Sequence, residues 1–165
     1  MSDPSSTQPP FPPEEIGAFL RHCAGEWMSL RSQFALGALG EGNDDGDGEG
    51  DAWHSSERGE LVVRYVEGNP GGLSVGPKDQ APRQLLFSAD GSFGAGEQQG
   101  LWTLWPDGSL ELVSQQNGAE LRERIWFNKP NLRLRSTIEQ PANGTPGRAS
   151  FSSEIRRVSK PAAAA

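Results

Sequence analysis

The chain has a single cysteine, Cys23, among 165 residues. That excludes an internal disulfide and a cysteine-rich zinc site, and it fits a reducing compartment. Long apolar runs are missing too. No stretch approaches the roughly 18 residues of a spanning helix, and the opening residues, MSDPSSTQPPFPPEE, carry neither a basic n-region nor an apolar h-region. A cytoplasmic protein that does not enter a membrane is expected. There is no Ser-His-Asp set, no metal-ligand cluster and no phosphate-binding glycine loop. Nor is there an excess of positive charge. The net charge of −7 disfavours a nucleic-acid partner, although six acids lie in EGNDDGDGEGD (41–51), so the remainder carries only −1. That acidic run does not fit a calcium-binding EF-hand loop, because counting Asp45 as the first ligand puts Ser56 where a glutamate is needed. A solvated loop is the better reading.

What is present is enough for one domain with its own core. Residues 1–13, rich in Pro and Ser, and 159–165 read as disordered tails, leaving 14–158 as a single domain. Its first element reads as a helix over 14–24. Pro12 and Pro13 precede it, Glu14 and Glu15 occupy its first turn, and Gly25 ends it, while Ile16, Phe19, Leu20 and Cys23 recur at i, i+3, i+4 and i+7. Cys23 thus sits on the apolar stripe, as a small buried hydrophobe rather than a nucleophile, and His22 falls off it. After Gly25 the period becomes two. Trp27–Leu36, Glu60–Glu67, Gln84–Ser88, Leu101–Trp105, Ser109–Gln116, Glu120–Phe127, Leu132–Ile138 and Ala149–Val158 read as strands. Asp90-Gly91, Pro106-Asp107-Gly108, Asn117-Gly118 and Lys129-Pro130-Asn131 supply tight turns between successive runs. The pattern predicts an all-β, antiparallel up-and-down barrel of about eight to ten strands with a short N-terminal helix, since closure removes exposed edges. Such a barrel can hold one small ligand.

Within Glu120–Phe127 the alternation puts Glu123 in phase with Leu121, Ile125 and Phe127, and in the next strand Arg133 and Arg135 alternate with Leu132 and Leu134. A carboxylate on an apolar face must be paired or hydrogen-bonded. Two readings follow. In one, these are edge strands with solvated arginines and an ion pair that serves structure alone. In the other, they form a mixed polar and aromatic pocket whose arginines take carboxylates of an anionic, conjugated ligand.

Three blocks carry a family resemblance. ERIWFNKPNLRLRST and SFSSEIRR are similar to the C-terminal signature of the S-type phycobiliprotein lyases, the CpcS/CpeS family, and GEWMSLRS (25–32) resembles their first-strand motif G-x-W-x-S-x-R-T. The likeness spans roughly residues 14–158, with Ser32 where threonine is usual, no histidine soon after it, and a long acidic insertion at 41–51. The resemblance implies a lipocalin-like barrel that binds a linear tetrapyrrole non-covalently. It also implies attachment of that bilin by a thioether to a cysteine of an apo-phycobiliprotein subunit. The bilin, phycocyanobilin or phycoerythrobilin, would be the substrate, with no cofactor. The acceptor subunit would be the partner, and a homodimer stays open. By the motif match, Glu123 is the expected catalytic residue, and Arg133, Arg31, Arg135 and Ser153 are expected to bind substrate. A rival within the same fold is a carrier of bilin or lipid that transfers nothing.

Overall fold

A computed structural model describes residues 8–36 and 54–158; the acidic stretch 41–51, read above as a solvated loop, lies outside the described residues, as do 1–7 and 159–165. The elements are α1 (Ile16–Cys23), β1 (Gly25–Ala35), β2 (His54–Val66), β3 (Pro70–Pro77), β4 (Arg83–Ser88), β5 (Ser92–Ala95), β6 (Gln98–Leu104), β7 (Leu110–Gln116), β8 (Ala119–Lys129), β9 (Leu132–Pro141) and β10 (Arg148–Arg156). Each strand pairs antiparallel with its sequence neighbours, and β1 pairs with β10, so the sheet closes on itself. The turns explain the short connections. At the β7–β8 hairpin Asn117 and Gly118 both take positive φ, 51° and 74°, the backbone that a two-residue turn between twisted strands requires.

The helix plugs one end of the barrel. Phe19, Leu20 and Cys23 are fully buried, as the apolar stripe predicts, and Phe19 packs on Phe127 of β8. Trp27 joins plug to wall, because its indole N–H donates to the Cys23 carbonyl at 2.9 Å. The helix start differs from expectation. Glu15 is the N-cap residue with extended backbone and no side-chain cap bond, so neither glutamate lies in the first turn. Residues 8–13 also depart from the tail reading. Phe11 stacks toward His22 at 5.7 Å, Pro13 is buried, and the close approach of Pro12 leaves no room for a Cβ at Gly108.

Two arcs of the barrel have opposite polarity. From β2 to β7 the inner face holds Leu61, Val63, Leu73, Leu85, Phe87, Phe93, Leu110 and Leu112, about half of the core. In β9, β10 and β1 beyond Trp27 the inner face is polar: Arg133, Ser152 and Glu154 are buried, and the register aligns Arg133 with Glu154, Arg135 with Ser152, and Ser152 with Arg31. β8 is mixed, pairing Ile125 with Arg135 and Phe127 with Arg133. The outer face of this second arc is correspondingly apolar, with Met28, Leu30, Phe151 and Ile155 all exposed.

Candidate functional site

Between the arcs lies a cavity of about 320 Å³ lined on one side by Leu61, Leu73, Leu85, Phe87 and Leu112, and on the other by Arg31, Glu123, Arg133 and Arg135. A larger cleft of about 890 Å³ runs outside the barrel between residues 8–15 and α1. The interior cavity combines an apolar wall with convergent polar groups, which is the usual composition of a ligand site.

Its polar wall is one connected network. Glu154, with no exposed surface, accepts from Nε of Arg133 at 2.9 Å and from Nε of Arg135 at 2.8 Å. A second Arg135 nitrogen reaches the other Glu154 oxygen at 3.2 Å, and Nη1 of Arg135 lies 3.6 Å from Glu123. Two arginines around one carboxylate satisfy the charge-assisted bonds that a buried ion needs. Arg133, only 3% exposed, lies with its guanidinium 4.8 Å from the Trp27 ring centroid, and Arg156 stacks on the same ring at 4.6 Å. The indole thus supports two cations through its π faces.

Cys23 lies under this network and takes no part in it as a nucleophile. Burial pushes its thiol above the ordinary value, and the nearby Arg133 charge works the other way without cancelling that. His22 bonds the Pro130 carbonyl at 2.9 Å and packs edge-on against Phe127, outside the cavity. Burial lowers its pKa.

Of the residues expected from sequence, Arg31, Glu123, Arg133 and Arg135 line one cavity. Ser153 does not join them. Its neighbours Ser152 and Glu154 are buried inward, so Ser153 faces outward between Leu30 and Leu134. Regular pairing of Ile125 with Arg135 and of Phe127 with Arg133 puts Glu123, Arg133 and Arg135 on one inner face, and the register shift lies beyond them, between Phe127 and Lys129. Sequence reasoning missed two groups of the site, Glu154, which holds the lining arginines from behind, and the lining residue Arg83. The signal for Glu154 was its position two residues beyond Ser152 on an alternating strand. Arg83, at the start of β4, had no comparable cue.

A closed antiparallel barrel with a plugged end and a charged interior wall is a ligand-binding barrel. Comparison with known proteins narrows this. A family model described as CpeS-like protein matches residues 81–157. The chain is 43% identical over 155 residues to chromophore lyase CpcS/CpeS 1 of Paulinella chromatophora, covering 91% of this chain and 92% of that one. It is also 42% identical over 64 residues to chromophore lyase CpcS/CpeS of Thermosynechococcus vestitus, covering 38% of this chain and 35% of that one. The solved S-type phycobiliprotein lyase CPES of Guillardia theta superposes with a TM-score of 0.65 at 21% identity, covering 88% of this chain and 94% of that one, which shows the shared fold. The chain belongs to the CpcS/CpeS chromophore lyase family.

Proposed function

We propose that this protein is a phycobiliprotein chromophore lyase. It holds a linear tetrapyrrole non-covalently in the barrel and delivers it to a cysteine of an apo-phycobiliprotein subunit. The observation that carries this reading is the unbroken run Glu123, Arg135, Glu154, Arg133 along one wall of a cavity whose facing wall is mainly apolar. A conjugated pigment with pyrrole N–H groups and two propionates matches such a surface: aromatic edges for the apolar arc, N–H donors for a carboxylate, anions for arginines. The cavity of about 320 Å³ is smaller than an open tetrapyrrole, so part of the pigment must remain outside the mouth, where an acceptor thiol can reach it.

The acceptor supplies the nucleophile. Its sulfur bonds to the exocyclic ethylidene carbon of ring A, the double bond opens, and a ring carbon takes up a proton; the addition is balanced without oxidant or reductant. Glu123 supports this by favouring protonated, electrophilic pyrroles and by fixing the pigment's orientation. Phycocyanobilin and phycoerythrobilin both carry the ethylidene and the two propionates, so the wall accommodates either.

Co-expression with a bilin-synthesising pathway and candidate apo-subunits, followed by denaturing electrophoresis with bilin fluorescence, tests the proposal. Fluorescence on an acceptor band that depends on this chain is the expected result. Pigment bound by the barrel but never transferred would make the protein a carrier instead. In the same assay Glu123→Gln keeps the pigment bound, shifts its absorption and slows transfer by more than it weakens binding; wild-type transfer by this variant would remove Glu123 from the mechanism.

A further inference from the structure

The sheet closes as a barrel, yet one strand runs past its neighbour. β2 pairs with β1 from His54 opposite Phe34 to Val63 opposite Gly25. Its pairing with β3 stops at Leu61 opposite Pro77, because the chain turns back there through residues 78–82 to begin β4 at Arg83. Residues 55–60 therefore form a free edge about 20 Å long, at about 3.3 Å per residue, and all of them are exposed. This edge stands at the open end of the barrel. Leu61 and Pro77, where the pairing stops, both line the cavity, and Glu57 lies opposite the lining residue Arg31.

The direction of its hydrogen-bonding groups follows from β1. The Glu26 carbonyl accepts from the Arg157 N–H at 2.7 Å, and the Leu36 N–H donates to the Gly147 carbonyl at 3.0 Å. Even-numbered residues of β1 thus turn their backbone toward β10, and odd-numbered ones toward β2. Through the register, Ser55, Glu57 and Gly59 bond β1, while Ser56, Arg58 and Glu60 turn their N–H and C=O groups to the free side. That is a template for one more strand. The charged side chains of Glu57, Arg58 and Glu60 guard it against indiscriminate pairing, the usual protection of an exposed edge. Gly59 has no packing reason to be glycine. Among the described residues a Cβ there would meet no atom within 4 Å, and glycine inside a strand weakens it unless something approaches closely. Gly59 shares its face with the lining residue Leu61, so the missing side chain leaves space beside the mouth.

We propose that this edge is the docking strip for the acceptor. An extended segment of the apo-subunit pairs as an added strand along residues 55–60, through the backbone groups of Ser56, Arg58 and Glu60, and the acceptor cysteine enters beside Gly59. The proposal rests on the transfer reading above and names the surface that brings the thiol to the pigment. Side chains of an added strand alternate between faces, so every second one turns over the mouth, where part of the pigment stays outside. Main-chain bonds supply the affinity, and the space beside Gly59 admits the side chain that reacts.

The test is amide hydrogen exchange resolved by residue, on the full chain loaded with phycocyanobilin. It is measured with and without the apo-subunit that takes up pigment in the co-expression assay, with that subunit's acceptor cysteine replaced by serine so that the complex does not turn over. In the free protein the Ser56, Arg58 and Glu60 amides exchange fast, whereas those of Glu57 and Gly59 are already protected by β1. The apo-subunit should slow the first three by at least about tenfold. Two variants read transfer to the unmodified subunit. Gly59→Ile places a good strand former in the thiol's entrance, so it should lower the transfer rate about tenfold while pigment affinity stays within about twofold. Arg58→Pro removes an N–H from the free side and none from the β1 ladder, and should slow transfer with pigment affinity unchanged. Wild-type transfer by both variants, or a complex in which the Ser56, Arg58 and Glu60 amides stay fast, would overturn the docking strip and leave the lyase reading standing. Equal losses of pigment affinity and transfer in Gly59→Ile would assign Gly59 to pigment entry and overturn it as well. Protection of these amides that rises with the concentration of this chain alone would give the edge to a second copy instead. If no apo-subunit received pigment from wild type, the lyase reading would fail and take the docking strip with it.

Discussion

From β2 to β7 the strands put leucine, valine and phenylalanine inside, whereas β9, β10 and β1 put arginine, serine and glutamate inside and leave Met28, Leu30, Phe151 and Ile155 exposed. The same alternation of two thus runs in opposite phase in two parts of one closed sheet. The difference separates two ways of holding a barrel together. The apolar arc is stabilised by area removed from water, at about 25 cal/mol per Å². It tolerates change in proportion to what is removed. The polar arc is balanced ion against ion, and buried ions lose more from an imbalance than they gain from being present. The arc that recognises a charged ligand is therefore also the arc most sensitive to losing one internal charge.

The largest effect should come from breaking that balance. Glu154→Gln leaves the buried Arg133, and the bonded end of Arg135, without their carboxylate, at a cost of about 3–5 kcal/mol. Urea unfolding reads this directly. Replacing Glu154 and Arg133 together by leucine and methionine should restore most of the loss, because the charge and its partner leave as a unit. If the double variant were no more stable than Glu154→Gln, the ion-balance account would be wrong. On the apolar arc, Leu112→Ala removes a buried side chain facing the cavity. It should cost about 2–5 kcal/mol, near the lower end because an adjacent cavity already leaves part of the side chain without neighbours. No second substitution on the polar arc should rescue it. The outer face of the polar arc gives a smaller effect still. Leu30 is 46% exposed, so Leu30→Ser should move the urea midpoint by less than about 0.5 kcal/mol in stability. A cost of several kcal/mol would show that this face packs against something and that the inversion of phase is incomplete.

How much of this was legible beforehand follows the same division. The helix stripe of Phe19, Leu20 and Cys23 and eight of the ten strands could be read, because each shows a clean period bounded by Gly, Pro or Asn turns. β3 and β5 escaped notice for physical reasons. β3 is PGGLSVGP, with proline at both ends and three glycines, and β5 has four residues; both read as loop until neighbouring strands supply their hydrogen bonds. Gly72 shows what the glycines are for, since a Cβ there would collide with the Leu85 carbonyl oxygen. In the site, Glu123, Arg31 and Arg135 were legible from motif blocks. Ser153 was expected from its block to bind substrate, and its phase with exposed Phe151 and Ile155 turns it outward. Glu154 escaped because its alternation with Ser152 shows a shared face without showing which way that face points. Only the inversion of polarity, a property of the closed sheet, decides that it is the buried one.

The smallest effect should appear where the two arcs share the helix plug. His22 packs against Phe127 and Phe11 and bonds Pro130. Its pKa is lowered from 6.5, first by burial, with the Arg156 charge adding to it and the Pro130 bond opposing. The unfolded chain therefore takes up this proton at a higher pH than the folded one. Stability from the neutral ring is fully present above about pH 6.5 and is lost as pH falls through the folded value. Thermal midpoints of wild type and His22→Phe at pH 7.5 and 5.5 isolate the contribution, because every other titration is common to both. The phenylalanine variant should start lower, having lost the Pro130 bond, yet fall less on acidification. Parallel falls would mean that the ring is hydrated enough to protonate freely, and that the plug seals the barrel less tightly than the burial of Phe19 and Leu20 implies.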